Sequence, residues 1–484
     1  MRHLADPVGA GAIDAPDAIG EAGSQSCGDL VRIAIRVVSG RVREAGFLAF
    51  GCGAATAAAS AACELLRGAR LDDAARIGAD ELDRRLGGLG AARRHGPEIV
   101  ADAVAAALER WYSDHLGGPG IPRSARRVAV GMSGGVDSAA AAMLLRDAGY
   151  EPIGVTMRLW HDPGAAAAER SCCAPETVRL ARASAHALGI PHITLDVAER
   201  FRSRVVADFV DGYAAGRTPN PCVTCNGVVR FAILDEVARL VGAYGLATGH
   251  YARIERRSGG RAGIAAARDL DKDQSYMLSM LSGPLLDRLI FPLGDLTKAE
   301  TRELAHGAGL PAADAVESQE ICFVGEGGYR DFLARNAGLA ALPGPILDPD
   351  GRRLGTHQGY WRYTVGQRKG LGIASERPLY VLRTDPARNA VWVGPRELLA
   401  VDRLRLEPAI VHDSLEPGPL EIRVRYRGRP LRGVVAESGA DAVDVALAEP
   451  AHGVAPGQTA ALYRDGRLVA AGTITVAPGT ELED

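Results

Sequence analysis

Hydrophobic and polar positions follow three successive rhythms along the chain. Near its start, "LVRIAIRVVSG" and "VREAGFLAFG" alternate with a period of two, which predicts a pair of strands joined at a Gly turn. "ATAAASAACELLRG" and "EIVADAVAAALERW" carry helical spacing instead. The first 115 residues therefore read as a small α+β unit, closed off by the Gly- and Pro-rich linker "HLGGPGIPRSAR". From Arg127, strand and helix patterns alternate: "RVAVGM" before "DSAAAAMLLRDAG", "EPIGVTMRLW" before "PETVRLARASAHALG", "HITLDV" before "ERFRSRVVADFVDGYAAG", and "VRFAILDEVARLVGAYG" before "LATGHY". That repetition predicts a parallel sheet with helices on both faces and ligands beyond the carboxyl ends of its strands.

The alternation stops near Phe291. Thr297 and Glu300 in "TKAET" form a capping box that opens a short helix, and a loop-rich stretch runs on to about Glu397. Short alternating runs such as "EIRVRYRG", "VVAES", "AVDVALAE" and "TAALYRDG" then predict a small antiparallel barrel. In the first of these, Arg423, Arg425 and Arg427 fall on one face of the expected strand and Ile422, Val424 and Tyr426 on the other. Such a row of guanidinium groups suits a phosphate backbone and a merely solvated face about equally. The expected divisions are 1–118, 126–290, 291–398 and 399–484.

An apolar fraction of 47% and a charged fraction of 24% are those of an ordinary soluble protein. The net charge of -3 gives no global pull toward nucleic acid or an anionic membrane, so any polyanion must be met by local patches. The N-terminus lacks the apolar core of a secretory signal, and the longest uncharged run, Phe47 to Cys63, is too rich in Ala, Gly, Ser and Thr for a good membrane span. No membrane partner is expected. The eight cysteines, at 27, 52, 63, 172, 173, 222, 225 and 322, lack the dense spacing of a secreted scaffold and indicate a cytoplasmic protein using thiols for chemistry or metals. Among 56 basic residues only Lys272, Lys298 and Lys369 are lysines. Arginine-favouring codons account for the bias but not for the three exceptions.

Candidate chemistry begins at "VAVGMSGGVDSAAAAM", a glycine-rich turn between the first strand of the sheet and its first helix. Gly134 and Gly135 let the backbone approach an anion closely, and Ser133, Ser138 and the helix N-terminus add donors. The absence of a G-K-[ST] ending excludes the loop of ordinary ATP hydrolysis. The S-G-G-x-D-S pattern resembles the pyrophosphate loop (PP-loop) of ATP-dependent adenylating enzymes. Downstream, "RTPNPCVTCNGVVRF" carries a C-x-x-C whose spacing alone fits half a zinc site, a redox pair, an iron-sulfur ligand set or a place where reactive sulfur is handled.

"GRTPNPCVTCN", "ATGHYAR", "DKDQSYML", "ESQEICFVGE" and "YTVGQRKGLGI", in that order, resemble the tRNA-specific 2-thiouridylase family from about Val128 to the C-terminus. The resemblance implies a PP-loop catalytic domain, a central domain carrying a second catalytic cysteine, and a tRNA-binding barrel. It implies a tRNA-uridine 2-sulfurtransferase that uses ATP and Mg2+ to adenylate the C2 oxygen of the wobble uridine, then replaces that oxygen with sulfur from a cysteine persulfide. Cys322 would hold the persulfide, and Cys225 would attack it to release the sulfur, leaving a transient disulfide. Gly131, Met132, Ser133, Gly134, Gly135, Val136, Asp137, Ser138, Met157 and Gly249 would line the ATP site. Asn220, Pro221 and Cys222 would sit by the target base, His250, Lys272, Asp273 and Gln274 on tRNA, and Arg425, Tyr426 and Gln458 would reach tRNA from the barrel. The implied partners are a tRNA with a wobble uridine and a sulfur donor such as a cysteine desulfurase or persulfide carrier. An alternative makes Cys222, Cys225 and Cys322 the ligands of a catalytic 4Fe-4S cluster, with Cys172 and Cys173 available to either arrangement.

Ahead of this, "SCGDLVRIAIRV", "FGCGAATAAASAACELLRG" and "RRHGPEIVADAVAAAL" resemble the NifU/IscU-like scaffold on which iron-sulfur clusters are assembled. Cys27, Asp29, Cys52 and His95 fall at its metal-ligand positions. The scaffold family has a cysteine directly after that histidine, and here Gly96 stands there. Cys63 lies at a helical position suited to packing. A scaffold or carrier role is thus the second alternative, and retention of a docking surface for a sulfur donor is the expectation.

Overall fold

The computed structural model describes residues 2–24, 28–90, 93–160, 162, 174–256, 260–281, 283–315, 321–325, 327–339 and 341–476. Cys27, Cys172 and Cys173 lie outside the described residues.

The alternating runs near the start form the antiparallel strands Leu30–Val38 and Arg41–Phe50, with a third strand, Ala18–Gly23, on the outer edge of the first. Helices Gly53–Leu66 and His95–Asp114 cover one face of this sheet, and their alanines let backbones pack closely. Cys63 is fully buried there and its thiol is pushed up to about 12 by burial, as a packing residue requires.

The βα alternation builds a five-stranded parallel sheet in the order Leu289–Ile290, Ala243–Thr248, Ser124–Gly131, Glu151–Arg158, His192–Asp196. The short Leu289–Ile290 strand is invisible to periodicity because two residues carry none. Helix Lys298–Gly307 has the expected capping box at Thr297 and Glu300 and packs on helix Val136–Asp147, so Ala305, Leu310 and Ala312 share a core with Val128, Val130 and Met143. The stretch read as loop-rich contains a four-stranded sheet, ordered Arg353–Gln358, Pro343–Leu347, Ala390–Gly394, Tyr380–Asp385. Its strands have five or six residues, and Pro343, Gly344 and Pro345 mask the alternation in one of them.

At the C-terminus six antiparallel strands close into a barrel, because Ala400–Val411 pairs with both Val443–His452 and Arg467–Val476. The hairpin Arg253–Arg256 and Ala262–Ala265 of the parallel-sheet domain extends the same sheet.

The N-terminal unit is seated against the parallel-sheet domain, not hung on its linker. Helix His95–Asp114 lies along the edge strand His192–Asp196, where Ser113 Oγ accepts from Asp196 N (3.0 Å) and Glu109 pairs with Arg158 (2.9 Å). Asp102 meets Arg182, and Asp72 meets Arg127 at 3.4 Å. The carbonyl of Ala75 accepts from His192 N (3.1 Å) and lies 3.1 Å from His186 Nε2. Burial holds both imidazoles below the ordinary value of 6.5, and pushes His250 down to about 3 with help from the Arg230 charge. These histidines are neutral in the fold and protonate when unfolded, so the unfolded chain binds more protons below 6.5 and stability falls as pH drops through that value. Thermal midpoints are expected to decline from about pH 7 to about pH 5. A flat profile over that interval contradicts the assignment.

Candidate active site

The chain leaves strand Ser124–Gly131 on one side of the sheet and returns on the other through Ala243–Thr248, which opens a crevice at their carboxyl ends. The glycine-rich turn fills its floor. Gly134 has φ +76, and a Cβ there would stand 2.4 Å from the carbonyl oxygen of Thr177, so no other residue fits. Ser138 Oγ accepts from Ser133 N (3.1 Å) and donates to Gly135 O (3.0 Å), and buried Thr156 donates to Met132 O (2.9 Å). The turn is fixed before any ligand arrives.

Above it lies a cavity of about 190 Å³ lined by Gly131, Met132, Ser133, Asp137, Ser138, Met157 and Gly249, joined by Val155, Leu159, Arg230, Leu234, Thr248, His250 and Gln274. Gly134, Gly135 and Val136 shape the turn and the helix start without walling the cavity. Arg230 is the one cation of this lining and was missed by sequence; its place five residues after Cys225 on a helix was the available signal. Lys298 was missed as well. It is 7% exposed, and its Nζ lies 2.7 Å from both carboxylate oxygens of Asp137, to which Tyr251 OH also donates (2.9 Å). One of the three exceptional lysines is thereby accounted for.

The C-x-x-C forms the first turn of a helix. Asn220 caps the N-terminus, accepting from Val223 N (3.3 Å), and Pro221 occupies the first helical position. The helix runs on through a π-helical turn, Asn226–Arg230, to Leu240, so Arg230 and Leu234 of the same element wall the cavity. π turns within helices are frequent at functional sites. Cys225 is buried and Cys222 half-buried. Cys322 is half-buried beside Phe323, which anchors its segment among Phe201, Phe209 and Phe332 at centroid distances of 5.5, 5.4 and 5.1 Å.

The segment before the two cysteines is clamped from two sides. Tyr360 OH donates to Ala214 O (2.6 Å) and Thr384 Oγ1 to Gly216 O (3.0 Å) from the central domain, while from the barrel Gln458 Nε2 donates to Thr218 O (2.7 Å). Tyr276 OH donates to Thr459 O (2.9 Å), with Asn220 Nδ2 at 3.5 Å. Burial raises that phenol above its ordinary value, opposed by Asn220 and the Arg425 charge. Asn220, Pro221, Cys222, Gln458 and Arg425 are therefore gathered along one seam.

Three expectations change. The strand carrying the arginine row stops at Arg423, and a turn follows in which Arg427 has φ +55, so Arg423, Arg425 and Arg427 do not share a face. Arg425 and Arg427 are exposed, whereas Arg423 turns inward to buried Asp273 (2.6 Å) and stacks on Tyr463 (4.5 Å). Ladder pairing of this strand ends at Arg423, and it is Arg427, not a glycine, that takes the left-handed conformation in the turn. Asp273, expected on tRNA, is 5% exposed and also accepts from Ala267 N, Ser275 N and Ser275 Oγ, so it holds the barrel in place. His250 and Gln274, also assigned to tRNA, line the nucleotide cavity, where Gln274 Oε1 accepts from Tyr251 N (3.0 Å). Lys272 is half-buried on the same loop.

In the N-terminal unit, Asp29, Cys52 and His95 bring their ligand atoms within 4.8 Å of one another, with His95 Nε2 3.2 Å from Cys52 Sγ and 3.3 Å from Asp29 Oδ2. Among the described residues this is the one group of metal-site dimensions; the sulfurs of Cys222, Cys225 and Cys322 do not form one. The backbone has closed over Gly96, where a Cβ would stand 2.8 Å from Ala54 C and Ala55 N. Gly96→Cys is expected to destabilise by overpacking, about 1–3 kcal/mol, without supplying a ligand. Thermal unfolding together with metal content checks this, and an unshifted midpoint with added iron-sulfur absorbance would refute it.

Four family models match the chain: a NifU-like N terminal domain over residues 1–116, a tRNA methyl transferase HUP domain over 126–326, a tRNA methyl transferase PRC-barrel domain over 330–395 and an aminomethyltransferase beta-barrel domain over 401–474. The bifunctional protein NifU/MnmA of Rubrobacter xylanophilus is 44% identical over 98% of this chain and 97% of its own length. The tRNA-specific 2-thiouridylase MnmA of Sorangium cellulosum is 44% identical over 74% of this chain and 94% of its own. A solved NifU-like N-terminal protein from Brucella abortus is 20% identical, with a TM-score of 0.20, over 23% of this chain and 89% of that one. Among the described residues no helix is long and apolar enough to cross a membrane.

Proposed function

We propose a working cycle for a chain that belongs to the tRNA-specific 2-thiouridylase family and carries a NifU-like domain ahead of the enzyme. The protein is a tRNA sulfurtransferase that uses ATP to place sulfur at C2 of the wobble uridine. One observation supports the residue assignments above all: the helix that starts at the C-x-x-C also walls the nucleotide cavity. Cys225 precedes Arg230 by the five residues of the π-helical turn Asn226–Arg230. Adenylation and sulfur attack can therefore meet at one carbon.

In this reading the N–H groups of the phosphate turn and the N-terminus of helix Val136–Asp147 take the ATP phosphates, with Arg230 as a fixed cation. The uridine C2 oxygen attacks the α-phosphorus, pyrophosphate departs, and the C2–O bond becomes one that breaks with AMP as leaving group. Mg2+ bound with the nucleotide would supply charge neutralisation for the departing pyrophosphate; Asp137, the one carboxylate of the cavity lining and tied to Lys298, is the residue that would face it. The Cys225 thiolate then attacks the inner sulfur of a Cys322 persulfide, forming a Cys225–Cys322 disulfide and breaking the S–S bond, and the freed outer sulfur attacks C2 as AMP leaves with the former C2 oxygen. Asn220 and Cys222 face the base, and Arg425 and Tyr426 meet the phosphate backbone beside it.

The NifU-like domain supports a role in sulfur handling, and we assign it the docking of a donor such as a cysteine desulfurase. Asp29, Cys52 and His95 fit a single metal ion better than a cluster, since the position of a further thiolate is filled by backbone at Gly96. Its seat on the edge strand makes point variants the informative ones, because truncation would strip cover from the sheet.

The test is thiolation of unmodified tRNA by anaerobically purified full-length protein with ATP, cysteine and a desulfurase, with and without iron, read by nucleoside mass. Formation of 2-thiouridine at the same rate without iron is the expected result. A strict iron requirement would favour the cluster alternative.

A further inference from the structure

We infer that Lys298 is a positioning residue of the nucleotide site: it is the counter-charge that allows an acidic residue to stand in the phosphate turn. The inference rests on reading Gly131–Ser138 as the seat of the ATP phosphates. ATP brings several negative charges to a cavity whose lining contains one carboxylate, Asp137. Uncompensated, that carboxylate would repel the ligand it is built around.

Lys298 does not line the cavity; it approaches Asp137 from behind, with Nζ 2.7 Å from each oxygen. It is the first residue of helix Lys298–Gly307, a position where the helix dipole disfavours a cation, and it is 7% exposed, which disfavours an ammonium further. Both penalties are met locally. Asp137 faces the ammonium, Tyr251 OH shares the carboxylate (2.9 Å) while standing 3.0 Å from Thr301 Oγ1, and Asp269 Oδ2 accepts from Lys298 N (2.9 Å). The capping box fixes the helix start, and the helix packs on Val136–Asp147, which carries Asp137 itself. The ammonium is thus held by packed elements against one carboxylate, and a compact point charge contacts both oxygens where a guanidinium fork would need more room.

Charge compensation and simple packing make different predictions for the full-length protein. Lys298→Met is expected to weaken ATP binding by about tenfold or more, with tRNA affinity unchanged as the control for folding. Adding Asp137→Asn to that variant should recover most of the lost affinity, because it removes the charge left without its partner. If the methionine variant does not fold, Lys298→Gln gives the same comparison, since glutamine hydrogen-bonds Asp137 without neutralising it. Wild-type ATP affinity in the folded Lys298 variants overturns the inference, as does a double variant no better than the single one. Gly134→Val separates the two readings: if it loses ATP binding while Lys298→Met keeps it, the phosphate turn stands and only Lys298 is misassigned. If Gly134→Val binds ATP normally, both fall.

Discussion

A protein carrying Cys322→Ser is expected to release pyrophosphate and accumulate adenylated tRNA, yet form no 2-thiouridine. Serine cannot hold a sulfane sulfur, and its hydroxyl is a poor nucleophile at neutral pH. The fold should survive, because the segment is anchored by Phe323 among three aromatic rings and not by the half-buried thiol. Cys225→Ser should also abolish product, but with persulfide accumulating on Cys322, which separates the two roles by protein mass. Cys222→Ser should lower activity without abolishing it. Full thiolation by either of the first two variants would make that assignment wrong, and equal loss in all three would favour a shared cluster.

Arg423→Ala is expected to have the largest effect on stability. Asp273 keeps hydrogen bonds from Ala267 N, Ser275 N and Ser275 Oγ but loses the Arg423 guanidinium, with a carboxylate side chain 2% exposed. Leaving such a charge buried without its counter-ion costs about 3–5 kcal/mol. Arg423 also stacks on Tyr463, whose hydroxyl lies 3.0 Å from Ser275 Oγ, so the barrel's seat on the nucleotide domain loosens at several contacts together. Thermal unfolding should drop sharply, and tRNA binding should weaken because Arg425 and Gln458 lose their fixed relation to Asn220. Arg423→Ala/Asp273→Asn should regain much of the stability. An unchanged midpoint in the single variant would mean the pair is not the fastening it is taken to be.

The parallel sheet was legible because each strand–helix unit repeats its own period, and the glycine-rich turn because its glycines and serines sit where a strand gives way to a helix. The barrel was legible in outline, but the arginine row was not: alternation in "EIRVRYRG" continues past Arg423, where pairing ends. Periodicity reports which face a residue would take and cannot report that the strand has stopped. Contacts made across domains were hidden for a related reason. Asp273 looks like an exposed acid of a polar loop until Arg423, 150 residues later, turns out to be its partner. Lys298 left a trace as an unexplained lysine, yet its target lies 161 residues earlier, and no local pattern joins them. The seat of the N-terminal unit on the edge strand escaped because "HLGGPGIPRSAR" reads as a linker, and linker composition says nothing about what the linked unit rests on.

The central claim is that ATP converts the C2 oxygen of uridine into part of a leaving group. It is tested most directly by thiolating a tRNA whose wobble uridine carries oxygen-18 at C2, then locating the label by mass spectrometry. The account predicts that the label leaves on AMP, in step with 2-thiouridine. Label found in water or pyrophosphate, with AMP unlabelled, would contradict it.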